Sequence, residues 1–519
     1  MADEPEAPRR RRRRRRSGSG RAAREREPDA AEESRPEASR RGRRSRPRGS
    51  VPRPEEGTRG RRRGASRSSE DRQGSEPSSR PRRSRTRGEP APVIRRVDGE
   101  DLELDLGRLD RDARRVVSRL QRAGHEAYLV GGCVRDLLIG RRPKDFDVAT
   151  SATPQEIKRL FRNGRIIGRR FKLVHIHYGE NIIETSTFRR EPGESEGDDL
   201  LIVEDNAFGT AAEDARRRDF TVNALFLDPD AGAVHDWVDG LEDLADRVLQ
   251  TIGDPQVRFQ EDPVRILRAV KFATRLDLEI AEPTWEAMLD NADQLERAAP
   301  PRVLEEILRL LRSGSALGAV KMLRACGALA ELFPDLDRHL GDRDADDHQV
   351  QQRLGSFYRL LEALDQEVHS ELEPSNALCL AVLFAPLVEE ELEDEEDPRT
   401  RLLRAEDLIH PTAERARLAK RDWTRAARIL ANQPHFTEQG DSRFSPLLFC
   451  LTPAFEESLS FFGLRVHARG KGWDLHEGWQ ERLERALDAD EEELSEERKR
   501  TRQRKPRKRR RRRGGRGGR

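Results

Sequence analysis

The 519-residue sequence is short of most features that mark a secreted or membrane-spanning protein. Its four cysteines, Cys133, Cys326, Cys379 and Cys450, are scattered, with no CxxC pair and no histidine at zinc-ligand spacing. That argues against a disulfide framework or a structural zinc site and fits a reducing compartment. No apolar run approaches the roughly 20 residues that cross a bilayer, and the N-terminus is charged without an apolar core or cleavage site. The expectation is a cytoplasmic protein with no membrane contact. Hydrophobic residues are also scarce, 34% against 38% charged, so part of the chain lacks the apolar material to fold.

Charge is abundant, and it is unevenly spread. The net +3 comes from 100 basic and 97 acidic residues. Arg9 to Arg16 is an unbroken arginine run, and Arg, Ser, Pro, Gly and Glu dominate as far as Pro92, so residues 1–92 read as a disordered extension. The stretch "RQRKPRKRRRRRGGRGGR" from Arg502 is a second basic tail, and residues 491–519 are expected to be disordered. Flexible cations at both ends displace counterions from a polyphosphate, which makes nucleic acid the natural partner.

Between the tails the pattern is strand, glycine turn, helix. Leu109–Gly124 carries apolar residues at helical spacing, Glu126–Val130 reads as a strand, Gly131-Gly132 as a turn, and Val134–Gly140 as a short helix. Lys144–Thr150 reads as a strand and Thr153–Phe161 as a helix with Thr153 at its N-cap. Two strands, Phe171–Gly179 and Asn181–Phe188, flank a turn. A polar insertion at Glu191–Leu200 precedes a helix at Ala211–Phe220 and a strand at Thr221–Asp228, expected to complete a mixed sheet. From Asp262 the chain turns helical, interrupted by "EEELEDEED" (Glu389–Asp397), read as an exposed acidic loop. These patterns give an α+β head domain over 93–255, a helical neck over 256–320 and a helical body over 321–490, with no internal repeat.

The run "RRPKDFDVAT" holds the chemistry. Strand alternation puts Asp145 and Asp147 on one face and Phe146 and Val148 toward the core. Two carboxylates aimed at one place repel unless a cation lies between them, and oxygen ligands with room for water and phosphate suit magnesium. The plainer alternative is a pair of solvated edge-strand aspartates. Upstream, Gly131 and Gly132 at a strand end let phosphate approach backbone N–H groups, and Arg135 in the first helical turn is placed to meet a triphosphate. Glu184, on a strand face with Ser186, offers a third carboxylate, unless it is simply an exposed strand residue. Such a set suits two-metal nucleotidyl transfer, in which pyrophosphate leaves in line.

These residues carry a resemblance. "LVGGCVRDLLIGRRPKDFDVAT", "RRDFTVNALF" (Arg217–Phe226) and "EDPVRILRAVKF" (Glu261–Phe272), in unbroken order over Ala127 to Arg275, resemble the class II nucleotidyltransferases of the polymerase β superfamily, which comprise bacterial poly(A) polymerases and CCA-adding tRNA nucleotidyltransferases. The resemblance implies a polymerase β-like mixed-sheet head followed by an all-helical neck and body. It implies magnesium on Asp145 and Asp147, with triphosphate at Gly131, Gly132 and Arg135. Arg217, Arg218 and Asn223 would neighbour ATP, and either Asp219 or Glu184 would complete the carboxylate set. Asp262, Arg265 and Arg268, three apart on one helix face, would read the incoming base. The alternative there is an ordinary ion-pair ladder in which Glu261 pairs with Arg265.

"RIIGRRFKLVHI" (Arg165–Ile176) and the arginine-rich C-terminal tail resemble the poly(A) polymerase branch. His235-Asp236 and Asp347-His348 are the nearest approaches to an HD phosphohydrolase motif. One lies in a strand-like run and the other has reversed order, so both read as structural or surface residues. The expectation is therefore template-independent addition of AMP from ATP to RNA 3′ ends. RNA degradation machinery or RNA chaperones are partners only by resemblance. CCA addition is the alternative of the same chemistry, and a non-catalytic RNA-binding scaffold is the alternative of another class. Deleting the chain after Arg500 is expected to weaken RNA binding and flatten its dependence on salt concentration; an unchanged salt slope would refute a role for the tail.

Overall fold

The structure, a computed structural model, describes residues 95–98, 102, 104–168, 172–190, 207–341, 347–392, 395, 397–437 and 444–503. The arginine-rich extension, the polar insertion, residues 169–171 of the "RIIGRRFKLVHI" stretch and the tail beyond 503 lie outside the described residues.

Eight strands form one sheet: β1 (Arg95–Asp98), β2 (Ala127–Val130), β3 (Asp147–Thr150), β4 (Gly164–Ile167), β5 (Leu173–Tyr178), β6 (Asn181–Thr187), β7 (Phe226–Asp228) and β8 (Ala233–Asp236). Their order is β1-β8-β7-β2-β3-β6-β5-β4, and the β3–β6 pairing alone is parallel. Helix α1 (Arg111–Arg122) starts at Asp110, whose Oδ1 accepts from the N–H groups of Asp112 (2.9 Å) and Ala113 (2.8 Å). Its Ala113, Val116, Val117 and Leu120 form a buried stripe at helical spacing. Helix α2 (Gly132–Leu138) follows β2 directly, and α3 (Pro154–Leu160) carries the expected cap, with Thr153 and Glu156 in a reciprocal capping box. The sheet residues Leu129, Val148, Val174, Ile176 and Ile183 share one buried core with Val116, Leu120, Ile157 and Phe161 of α1 and α3.

Two strand expectations are corrected. The strand read over Lys144–Thr150 is paired only from Asp147, which stands opposite Val130, the last residue of β2 before the chain turns at Gly131. Asp145 therefore lies in the lead-in to β3, not on the strand; Val148 is fully buried and Phe146 partly so. The strand read over Thr221–Asp228 does not complete the sheet either. Thr221–Asn223 forms a 3-10 turn, and the short β7 sits inside the sheet between β8 and β2. The turn is held by side chains, with Thr221 Oγ1 donating to Asp243 and Asn223 Nδ2 donating to Asp219. His235 lies in β8 with its ring on Trp237, while buried Asp236 accepts from the N–H groups of Val238 and Leu241.

After α4 (Ala211–Arg216) and α5 (Gly240–Ala245), the chain becomes helical: α6 (Pro255–Glu261), α7 (Val264–Leu276), α8 (Glu282–Asp290), α9 (Pro300–Leu311), α10 (Ala316–Ala325), α11 (Ala328–Leu332) and α12 (Pro334–Leu340). Helices α10 and α11 are separated by a break at Gly327, whose φ of 79° is left-handed. The body comprises α13 (His348–His369), α14 (Asn376–Glu389), α15 (Pro398–Arg415), α16 (Lys420–Ala431), α17 (Pro434–Thr437), α18 (Pro446–Cys450), α19 (Phe455–Arg469), α20 (Trp473–Asp488) and α21 (Glu491–Gln503). Asp347 caps α13 by accepting from Gln349 N–H. The last helix replaces the start of the tail read as disordered. The acidic run is not simply an exposed loop: a 3-10 turn over Glu390–Leu392 buries Leu392 and presents Glu390 to Arg353. All four cysteines are free and buried; burial pushes the thiols of Cys133 up to about 12 and of Cys379 and Cys450 up to about 11, and also raises Cys326. Among the described residues no helix is long and apolar enough to cross a membrane.

Gly240 ties α5 to the turn after the Arg-Arg-Asp motif. A Cβ placed on it would lie 2.2 Å from the carbonyl oxygen of Thr221, a backbone atom that cannot swing aside. Gly240→Ala is expected to destabilise the full chain by about 1–3 kcal/mol in urea unfolding; an unchanged midpoint would contradict this packing.

Candidate active site

A cavity of about 720 Å³ opens where β2 and β3 meet α7 and α9. Of the thirteen residues singled out from the sequence, eleven line it: Gly131, Gly132, Arg135, Asp145, Asp147, Arg218, Asp219, Asn223, Asp262, Arg265 and Arg268. Arg217 and Glu184 do not. Arg217 donates from Nε to Asp214 Oδ1 at 3.1 Å. Glu184 stands opposite Asp147 across the β3–β6 pairing, half exposed, with Oε2 3.4 Å from His175 Nε2.

The glycine turn is built as a cradle. Gly131 has φ 73°, and a Cβ there would come within 3.0 Å of the Arg218 guanidinium. Its own N–H is used by Leu225 O, while α2 begins at Gly132 with no side-chain cap, leaving its first N–H groups for an anion in the cavity. Arg135 is not free to meet a triphosphate as expected. It is buried, its Nε and NH2 bond Asp136 Oδ1 at 2.9 and 2.6 Å, and NH1 bonds Asn223 Oδ1. Its guanidinium lies 5.1 Å from the centre of the Phe272 ring, so it builds the wall.

The residues expected to read the base also differ from the sequence pattern. Asp262 ends α6 in extended conformation and Pro263 precedes α7, so Asp262 does not share a helix face with Arg265 and Arg268. Proline at that junction prevents the two helices from merging. Both oxygens of Asp262 are held by Arg302 at 3.0 and 2.7 Å. Arg265 NH1 donates to Glu261 Oε2 at 2.8 Å and to Arg258 O at 2.7 Å, the ion-pair ladder weighed as the alternative. Arg268 bonds Asp219 Oδ2 through Nε at 2.7 Å and NH2 at 2.6 Å. Although burial opposes it, Arg268 together with Asn223 and the Phe220 N–H holds the Asp219 carboxyl down at about 2.

The wall carries seven acidic side chains. Asp136, Asp219, Asp262, Glu305 and Glu306 each have an Arg or Lys partner. Among the described residues, Asp145 and Asp147 have none. Burial, then the nearby Glu184 and Asp145 carboxylates, push the Asp147 carboxyl up to about 6 against a pull from Arg218. Asp147 is crowded by protein yet open to the cavity. No group of three or more His, Cys, Asp or Glu side chains among the described residues is arranged as a metal cage. Two open carboxylates nevertheless suit a hard cation that keeps waters and substrate oxygens in its shell. Lys144, beside Asp145, also lines the cavity without a carboxylate partner among the described residues. Sequence reasoning missed Arg275 and the α9 residues Arg302, Glu305, Glu306 and Arg309. Their i, i+3, i+4, i+7 spacing, opposite the apolar stripe of Val303, Ile307 and Leu310, was the signal available.

Residues 127–250 match a family model described as "Poly A polymerase head domain", and residues 277–340 match one described as "Probable RNA and SrmB- binding site of polymerase A". With the motif order and the site, these make the head and neck of the chain similar to the class II nucleotidyltransferases. The chain is 40% identical to Poly(A) polymerase I of Salmonella typhi over 290 residues, 54% of this chain and 61% of that protein. It is also 40% identical to the CCA-adding enzyme of Levilactobacillus brevis, over 233 residues covering 44% of this chain and 57% of that protein. The crystal structure of the Bacillus stearothermophilus CCA-adding enzyme in complex with CTP is similar with a TM-score of 0.53 at 25% identity, covering 72% of this chain and 81% of that one. The chain thus spans about three fifths of the curated relatives' length.

The Arg268–Asp219 pair yields a stability prediction. Arg268→Met strands a buried carboxylate and is expected to cost about 3 kcal/mol at pH 7. In the native chain the depressed Asp219 pKa adds stability that is complete above the unfolded value of about 4 and is lost as pH falls toward 2. Without Arg268, burial raises that pKa, so the variant regains stability as pH falls from 7 toward 5. The gap in urea midpoint should narrow over that range; a constant gap would refute the pairing.

Proposed function

We propose that this chain transfers AMP from ATP to the 3′ ends of RNA without a nucleic-acid template, releasing pyrophosphate. The observation that carries the reading is the contrast within one wall: five acids are neutralised by Arg or Lys partners, while Asp145 and Asp147 have none among the described residues. In a packed site, a pair of carboxylates without cations is the feature that a divalent ion completes. Asp145 and Asp147 are the residues that would hold magnesium, with Glu184 across the β3–β6 pairing as the supporting carboxylate rather than Asp219, which Arg268 occupies. Magnesium, when bound, supplies charge neutralisation at the attacking and leaving oxygens.

The chain's own residues do the rest. The N–H groups at the start of α2 and Lys144 receive the triphosphate, and Gly131 and Gly132 let it approach the backbone. The base faces Asp262, Arg265 and Arg268, whose ion pairs hold one fixed arrangement of donors and acceptors and so favour one nucleotide. The longer match to poly(A) polymerases than to CCA-adding enzymes, 290 against 233 residues, supports adenylation over CCA addition.

Asp145→Ala is expected to lower incorporation of labelled AMP into a generic RNA by about a thousandfold, matching the several kcal/mol of charge stabilisation removed, while RNA retention on filters persists. Full activity in the variant would overturn the assignment. Completion of a CCA end on truncated tRNA, without A-tracts on generic RNA, would assign the chain to the other branch of the family.

A further inference from the structure

The body holds a second cavity, also of about 720 Å³, among α13, α14, α16, α17 and α19, and it is separate from the site described above. Its walls include the apolar side chains of Phe357, Leu360, Pro386 and Leu430. Arg353 is part of the framework, since Glu390 accepts from its Nε and NH2 at 2.8 and 2.9 Å and His339 O accepts from NH1 at 2.6 Å. The other arginines are less settled. Arg465 is largely enclosed, with Glu389 Oε1 3.3 Å from NH1 and no partner at its buried Nε. One turn along α19, Arg469 adds a like charge, and among the described residues neither Arg469 nor Arg359 has a carboxylate partner. Burial lowers the pKa of Arg465, Glu389 opposes that, and Arg469 reinforces it. Gln433, 2% exposed, forms part of the same wall. Its Nε2 donates to Ile429 O (2.9 Å) and Ser458 O (3.1 Å), which fixes the amide and leaves Oε1 with no donor.

A cavity of this size takes one small ligand rather than a length of strand. Crowded guanidinium groups call for a phosphate, an apolar wall suits a planar ring, and a buried amide oxygen calls for an N–H. We propose that this body cavity is a second binding site, for a mononucleotide. The phosphate lies against Arg359, Arg465 and Arg469, the base lies against the apolar wall, and a base N–H is the donor that Gln433 lacks. The site is independent of the proposed transfer reaction, because its occupancy is read without turnover.

The test uses AMP, the full chain and backbone hydrogen exchange. AMP is expected to slow exchange in α13 and α19. The double variant Arg359→Ala, Arg469→Ala changes two exposed side chains and should lose this protection, with AMP binding at the body about tenfold weaker. Protection of α2 and α7 at the other cavity should be retained. Three results would each overturn the proposal: no change in α13 and α19 at millimolar AMP; equal protection by inorganic phosphate alone, which reduces the site to a simple anion site; or protection by a short oligoribonucleotide where AMP gives none.

Discussion

The ion pair between Arg268 on α7 and Asp219 after α4 is the contact on which the candidate active-site cavity depends. It joins the helical neck to the head across the cavity, and both groups are largely out of water. In such a setting an unmatched charge is costly, so the pair imposes order on its surroundings. Asn223 donates to Asp219 and accepts from Arg135, which in turn grips Asp136. On the neck side Glu306 links Lys271 to Arg309, and Arg302 takes both oxygens of Asp262. The outcome is a wall whose charges are mostly spent on one another, against which stand two aspartates with no cationic partner among the described residues.

That separation clarifies which charges hold shape and which remain for chemistry. Arg135, Arg265 and Arg268 are scaffolding cations, engaged before any ligand arrives. Asp145, Asp147 and Lys144 lie together on the lead-in to β3 and its first residue, and they keep their charge available. Placing the two aspartates at the mouth of a strand lets the buried half of the same segment, Val148 and Ala149, anchor them in the core.

Much of this was legible in the sequence. The two aspartates, the glycine pair and the Arg-Arg-Asp motif are local signals, and each lines the cavity at least in part. The helices with strong caps, such as the one from Thr153, also matched because capping is written in four consecutive residues. What sequence did not show were choices made by distant neighbours. Asp262 is claimed by Arg302, 40 residues on. Arg135 is claimed by Asn223, 88 residues on. Glu184 is offered as a third carboxylate by its strand face alone, and only the β3–β6 register sets it beside Asp147. The extent of β3 and β7 was misjudged for the same reason, since pairing length follows from where the partner strand stops and from side chains that pull Thr221–Asn223 into a turn.

The four buried thiols have a consequence of a different kind. Cys133 lies in the head, while Cys326 after α10, Cys379 in α14 and Cys450 in the last aromatic cluster lie in the body, so four separate places in the fold carry a natural reporter. A thiol with a raised pKa and no access to solvent reacts only when its own surroundings open. Alkylation followed by peptide mapping would therefore rank the surroundings of the four thiols by how readily each opens, with no substitution in the chain.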